Sequence, residues 1–285
     1  MQIVDAIAQF EGAGRYDALN LDGEFRGRFG EDSSYYNRAH VGLSYGLVQF
    51  TQDGGALGEL LILMRDKDPE RFADDDVFGA AADELIAVTT APGPGSLQVE
   101  GGRSARVQPV AGADLWREPW ITRFRTAARH EPFREAQREL AISRYLDPIL
   151  SYARWLGLWT RRGLAMLYDR SVQQGVSGGM RFVVDAVGPV DSAAKRTLAL
   201  DALGHATLED FQRGAAISAD GDWGKQSHAA MIGALRGLAT ESPIDLPDYG
   251  ESLDLIVTAA ASRRFARRVS SLRAARELSD LPLTE

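Results

Sequence analysis

Glu11 ends the opening stretch IAQFEG, and further on the chain runs GLSYGLVQFTQDGG from Gly42 to Gly55. The chemistry open to a carboxylate that closes a helix beside Phe10 is general acid catalysis. A glycosidic oxygen leaves poorly unless protonated, so an acid that serves it must stay neutral near working pH. Partial burial against Phe10 and the helix would raise its pKa in that direction. A second block is LYDRSVQQG, Leu167 to Gly175. Asp169 and Arg170 fall there on an otherwise apolar helix, where a charged residue must be paired or exposed.

The elements that must position these groups are mostly helical. Ile3, Val4, Ile7 and Phe10 recur on one face, which predicts a buried helix over 2–11, stopped by Gly12 and Gly14. Residues 15–50 mix Gly, Tyr, Phe and charge in short alternations, the pattern of irregular strands or a hairpin. Helix is predicted for Ala56 to Met64, for Pro132 to about Leu158 with an adjustment at Asp147-Pro148, and for Gly163 to Val172. Further helical stretches fall near 191–203, 224–239 and 251–278. Residues 88–112, rich in Pro, Gly and Ser, predict an exposed loop. The expected class is mainly α (α+β) with a small β-hairpin element. One catalytic domain is expected over 1–285, with a first lobe near 1–87, the linker loop 88–112, and a long helix with a second lobe over 113–285.

Composition narrows the function classes. A chain of 285 residues with 45% apolar content can build one large core or two lobes. A net charge of -8 and a pI near 5.2 argue against a duplex nucleic-acid binder, which needs a basic footprint. Cysteine is absent, which excludes disulfides and thiolate metal sites and leaves the redox compartment open. His40, His130, His205 and His228 show no metal-ligand spacing. The stretch MQIVDAIAQFEG has no basic n-region, sustained apolar core or small-residue cleavage site, so it is not a standard secretory signal. No apolar run is long enough to span a membrane. The expectation is a protein held in the cytoplasm until released or delivered, by phage lysis, an injection apparatus or cell death, and acting on the cell wall or outside the cell.

The stretch Glu131 to Gly175, EPFREAQRELAISRYLDPILSYARWLGLWTRRGLAMLYDRSVQQG, resembles the core of the chitosanases of glycoside hydrolase family 46. The likeness rests on the F-R-x-A-Q opening, the aromatic-Asp-Pro step at Tyr145 to Pro148, and the closing Leu-Tyr-Asp…Val-Gln…Gly. It implies a lysozyme-like fold of two largely helical lobes joined by a long helix, with substrate in the cleft, and an inverting hydrolase using a Glu and an Asp. Glu11 falls where the family's general acid belongs. Asp169 matches an Asp that joins arginines in an ionic network steadying that acid. The partners are assigned to Arg170 and, from the SRRFARR cluster, Arg263, with Arg267 and Arg268 read as a solvated surface stripe. No metal or organic cofactor is implied.

At the family's base the sequence departs from the pattern: the corresponding residues are Ala39, His40 and Val41, none acidic. Asp32 is the candidate base, with Glu31, Asp22 and Asp53 as alternatives. Inversion would hold the carboxylates about 6.5–9.5 Å apart around a water. The SYGLVQF segment is also similar to one in lysozyme-like lytic transglycosylases and goose-type lysozymes, which can work with a single essential Glu. That likeness implies sugar contacts from Ser44, Tyr45 and Thr51, and places Gln49 at the turn or the N-acetyl group. Trp155, Trp159, Tyr145 and Tyr152 could stack on sugars, although aromatics at helical spacing more often form core. FQRGAAISADGDWGKQSHAAM resembles small peptidoglycan-binding repeats, with Asp220 to Gly224 turning into a helix and Ser227 following. The combined expectation is a glycosidase acting on a β-1,4-linked amino-sugar polymer, peptidoglycan before chitosan. The alternatives are a true chitosanase and an inert glycan-binding or structural component of a phage or injection particle.

Overall fold

Leu43, Tyr45 and Phe50 are fully buried along the Gly-rich segment, and Gly46 supplies the left-handed turn between them, with φ at +80°. The computed structural model describes residues 14–21, 41–99, 102–238, 241–263 and 265–283. In it the segment forms a three-stranded antiparallel sheet, β1 (Leu19–Asn20), β2 (Ser44–Tyr45) and β3 (Phe50–Thr51), in that order. Leu19 pairs with Tyr45, and Tyr45 with Phe50. The remaining elements are helical, so the fold is mainly α with a small β element, as the sequence patterning predicts. The helix predicted over 2–11 lies outside the described residues. The chain divides into two compact units, Met1–Ser143 and Arg144–Glu285.

Among the described residues of the first unit the α-helices are α1 (Ala56–Lys67), α2 (Pro69–Phe72), α3 (Ala82–Thr89), α4 (Trp120–Ala127) and α5 (Glu131–Ala141). Leu57, Leu60, Leu61 and Met64 line one face of α1, which packs chiefly on the Phe133, Ala136 and Leu140 face of α5. Tyr45, Phe124, Phe78, Phe72 and Phe133 form a chain of ring contacts with centroids 4.7–6.2 Å apart. Such tilted and edge contacts add to the burial of apolar area. Asp68 caps α2 by accepting the Arg71 amide at 3.0 Å, and its other oxygen meets His130 at 2.8 Å. These hydrogen bonds hold the Asp68 carboxyl below the usual range.

The 88–112 stretch is exposed at 90, 92–94, 98, 105, 108, 109, 111 and 112, as expected of a loop, but is anchored by a few buried residues. Ser96, Ser104, Val107 and Val110 are buried. The Ser96 amide donates to Asp53 Oδ1 at 2.6 Å. Arg106 donates to the Asp53 and Ala91 carbonyls at 2.7 and 2.9 Å, and its own carbonyl accepts from Gln52 at 2.7 Å. A loop can be buried when its backbone groups find partners, and Asp53, Gln52 and Arg106 supply them.

The helical run expected from Pro132 to Leu158 is interrupted where proline removes a donor. After α5 come a π-helical turn (Ile142–Leu146), a 3-10 turn (Asp147–Ile149) and α6 (Leu150–Trp155). The second unit continues with α7 (Arg161–Val187), α8 (Ala193–Ala202), α9 (Leu208–Gly214), α10 (Lys225–Gly237), α11 (Tyr249–Ala260) and α12 (Ala266–Ala274). Thr160, Ser192, Thr207 and Asp248 cap α7, α8, α9 and α11 through side-chain oxygens. α7 is broken at Gly175, whose φ of 70° and ψ of 156° are open essentially to glycine alone. The stretch 251–278, expected as one helix, is two, α11 and α12. α7 packs against α10, α11 and α12, and α10 against α6.

Two buried polar sites shape this unit. Gln212 is buried and its amide group donates to Asp220 Oδ1, the Asp222 carbonyl and Ser227 Oγ at 2.9–3.0 Å, while its oxygen accepts the Gly221 amide at 2.8 Å. The DGDWG turn therefore forms and leads into α10, as expected. His228, on the same helix, is 7% exposed and lies at a ring-centroid distance of 5.3 Å from Trp223. Burial holds the His228 imidazole below its ordinary pKa, against the pull of Asp185 and Asp191 and with the push of Arg196. The unfolded chain thus takes up this proton before the folded one. His228 leaves stability unaffected above the ordinary histidine pKa and subtracts from it as pH falls through and below that value. The expected result is a melting temperature that drops less between pH 7 and pH 5 in His228→Gln than in the wild type; equal drops would remove His228 from the acid sensitivity.

Candidate functional site

Glu11 and Asp32 lie outside the described residues, as do Glu31, Asp22, Ala39 and His40. What the structure describes is the machinery around the second block. Asp169 and Arg170 are fully buried on α7. Asp169 Oδ1 accepts from Arg268 Nε at 2.9 Å and Nη2 at 2.6 Å, and its Oδ2 accepts from Arg170 Nε at 3.0 Å and also from Arg170 Nη2. One carboxylate therefore receives the forks of two guanidinium groups, a geometry that is strong and directional. The Arg170 guanidinium also lies 3.8 Å from the centre of the Phe265 ring, a cation–π contact in a dry setting.

The other motif of the same stretch is tied to this one. Ser171 Oγ bridges the carbonyls of Tyr145 and Tyr168 at 2.9 and 2.8 Å, and the Tyr145 and Tyr168 rings meet edge-on at 6.5 Å. The Tyr145 to Pro148 step and LYDRSVQQG are thus one packed assembly around a buried charge pair.

The arginine assignment needs correction. Arg263 is exposed, and its place beside Asp169 is taken by Arg268, which had been read as part of a surface stripe. The signal was present in the sequence. Phe265, Val269 and Leu272 are the buried residues of the α12 face, and Arg268 lies three residues after Phe265 on that same face.

The SYGLVQF residues are engaged by the fold. Tyr45 is fully buried, its hydroxyl donates to the Phe124 carbonyl at 3.1 Å, and burial pushes its phenol pKa up. Gln49 donates to the carbonyls of Gly46 and Ala18 at 3.0 and 3.3 Å, so it holds the turn, one of its two expected roles. Ser44 is 5% exposed and pairs in the sheet with the half-buried Thr51. Asp53, an alternative base, is engaged with Ser96.

A positioning group that residue type and spacing do not single out lies in the family-like opening. Gln137, the Gln of F-R-x-A-Q, is fully buried, accepts the Leu47 amide at 2.8 Å and donates to the Tyr16 carbonyl at 3.1 Å. A β-carbon at Gly46 would come within 2.3 Å of Gln137 Oε1, so the glycine is required by space as well as by φ. Among the stacking candidates, Tyr152 is buried, Tyr145 packs on Tyr168, and Trp159 lies under Arg154 with its Nε1 donating to the Leu283 carbonyl at 3.1 Å. Among the described residues no group of three or more acidic or histidine side chains could hold a metal ion, and no helix is long and apolar enough to cross a membrane.

No protein-family model and no curated protein matches this chain. Among solved structures it is similar to a mutant chitosanase from Bacillus subtilis MY002 complexed with 6 GlcN, at 14% identity and a TM-score of 0.44, covering 96% of this chain and 86% of that one. It is also similar to the GH46 chitosanase of Gynuella sunshinyii in complex with chitotetraose, at 13% identity and a TM-score of 0.40, covering 99% and 96%.

Proposed function

We propose that this chain is a glycoside hydrolase of the family 46 kind, cleaving β-1,4 linkages in an amino-sugar polymer, with Glu11 as the general acid. The observation that carries the reading is the buried Asp169 held between Arg170 and Arg268, at the position where the sequence resemblance expects an ionic network behind the acid. Two residues away, Ser171 binds the Tyr145 to Pro148 step of the same resemblance. In this reading Asp169 is a positioning residue, as the resemblance implies, and not a group that touches substrate. Glu11 protonates the leaving glycosidic oxygen, and Asp32 is the candidate for activating water.

Chitosan is the first substrate to test. Tyr45 and Gln49, whose likeness pointed to peptidoglycan, are engaged within the fold, and the DGDWG turn is tied up by Gln212. Peptidoglycan is the second reading, favoured by one observation: Ala39, His40 and Val41 place no acid where the chitosanase base belongs.

The experiment compares wild type and Glu11→Gln on chitosan and on purified sacculi, with products read by mass spectrometry. Wild type is expected to release glucosamine oligomers from chitosan, and Glu11→Gln to do so at least about a hundredfold more slowly. Disaccharide-peptides from sacculi would move the assignment to peptidoglycan, and 1,6-anhydro ends to transglycosylase chemistry. Binding to either polymer with no product from wild type would overturn the enzyme reading in favour of an inert glycan-binding component.

A further inference from the structure

We propose that the first unit carries an oxyanion-binding site, built from none of the side chains assigned to glycan cleavage, that takes the phosphate or carboxylate group of a small or polymeric ligand. The site is a cavity of about 300 Å³ lined by Arg15, Arg125, Arg129 and Arg134, with Tyr16 and Asp17. Four guanidinium groups and one carboxylate leave it with an excess of three positive charges, in a chain whose net charge is -8. A concave surface lined by one sign of charge focuses its field and concentrates the opposite ion.

One side of the cavity is built and held. Arg134 donates to the carbonyls of Ala128 and Arg129 at 2.8 and 3.3 Å and to Glu131 at 3.3 Å. The Tyr16 hydroxyl accepts from Arg138 at 2.7 Å, its carbonyl accepts from Gln137 at 3.1 Å, and Arg134 and Arg138 lie over its ring at 5.8 and 5.4 Å. The one carboxylate is already engaged: Asp17 receives the Arg15 fork at 2.9 and 3.1 Å, and that pairing holds its pKa below the usual range. Asp17 therefore stays ionised and neutralises Arg15.

The cations left over are Arg125, on α4, and Arg129, one helical turn later. Both are exposed; Arg125 is near enough to Asp17 to help keep that carboxylate ionised, and neither guanidinium is hydrogen-bonded or ion-paired among the described residues. Their place near the C-terminal end of α4 suits the helix dipole, which accounts for positive charge there. It does not account for the cavity or for the convergence on it of Arg15 and Arg134 from other segments. Two guanidinium forks one turn apart, over a wall that is already ordered, suit an oxyanion that takes paired N–H donors from both.

The test uses the full chain with inorganic phosphate and, separately, with glucuronate, each by titration calorimetry against chloride at matched ionic strength. Wild type is expected to bind one of them at millimolar or lower concentration, and the double variant Arg125→Gln/Arg129→Gln to lose at least about tenfold in affinity. Both side chains are exposed, and an unchanged melting curve in chloride shows that the variant is folded. Binding of phosphate alone supports a phosphorylated ligand, and binding of glucuronate supports a carboxylated sugar. Binding of neither by wild type, or equal binding by wild type and a folded double variant, overturns the proposal.

Discussion

Asp169→Ala should lose about 3–5 kcal/mol of stability, because it takes the shared carboxylate away from two guanidinium groups, one of them fully buried. The cost is that of stranding Arg170, whose head group is already removed from water between α7 and Phe265. It is not a measure of the favourable energy of the pair, since desolvation offsets much of the attraction between buried charges. The distinction can be tested. Asp169→Leu combined with Arg170→Met removes both buried charges and should recover much of the loss, whereas Asp169→Leu alone should resemble Asp169→Ala. Urea unfolding followed by circular dichroism gives the midpoints; a loss below about 1 kcal/mol in Asp169→Ala would mean that the shared carboxylate, with its bonds to Arg268, is not what holds α7 to α12. Asp169→Asn separates stability from catalysis. If the network steadies Glu11, kcat on the cleaved polymer should fall and the alkaline limb of its pH profile, where the general acid loses its proton, should shift in folded Asp169→Asn while KM stays near the wild-type value.

The second large effect is expected at Arg162, in the first turn of α7. Its guanidinium donates to the carbonyls of Leu272, Arg273, Ala275 and Leu278 at 2.6–3.0 Å and to Asp280 Oδ1 at 2.7 Å. It thereby closes the C-terminal end of α12, whose last carbonyls have no intrahelical donor, and anchors the segment that follows. Around it, Tyr249 donates to Asp280 at 2.6 Å, the Leu283 amide donates to the Trp159 carbonyl at 3.0 Å, and the Trp159 indole Nε1 donates back to the Leu283 carbonyl at 3.1 Å. Arg162→Met keeps much of the buried stem and removes every one of those donors. A loss of about 3 kcal/mol is expected, less than the sum of five charge-assisted bonds because the released carbonyls near the surface recover water. Arg162→Lys retains charge without the planar fork and should fall between. Limited proteolysis adds a local reading: cleavage after residue 275 should appear in Arg162→Met under conditions where wild type is intact. Resistance equal to wild type would show that the tail is held by Trp159 and Tyr249 without the arginine. Arg268 lies on the same α12 that Arg162 closes, so strain here should also reach the Asp169 network.

Helices such as Ala56–Lys67 and Lys225–Gly237, and the breaks at Asp147-Pro148 and Gly175, follow from neighbours in the chain: apolar spacing, a missing donor at proline, a backbone state open only to glycine. That Asp169 and Arg170 had to be paired or exposed was legible for the same reason, since the residues just before them, Leu164 to Tyr168, are apolar. Partner identity was not. Asp169 meets Arg268 across 99 residues, Leu47 meets Gln137 across 90, and Tyr45 meets the Phe124 carbonyl across 79. That is why Tyr45, read as a sugar contact, is spent on the Phe124 carbonyl, why Arg263 gives way to Arg268, and why a Pro/Gly-rich loop is fastened at its buried points by Arg106 and Asp53. Side-chain type and periodicity are local properties, so the sequence by itself determined a helical protein with a charge on one apolar helical stretch that had to be paired or exposed. Which groups satisfy that charge, and which polar residues remain for a ligand, depends on surfaces that meet only after the chain has closed on itself, and the tertiary structure alone decided it.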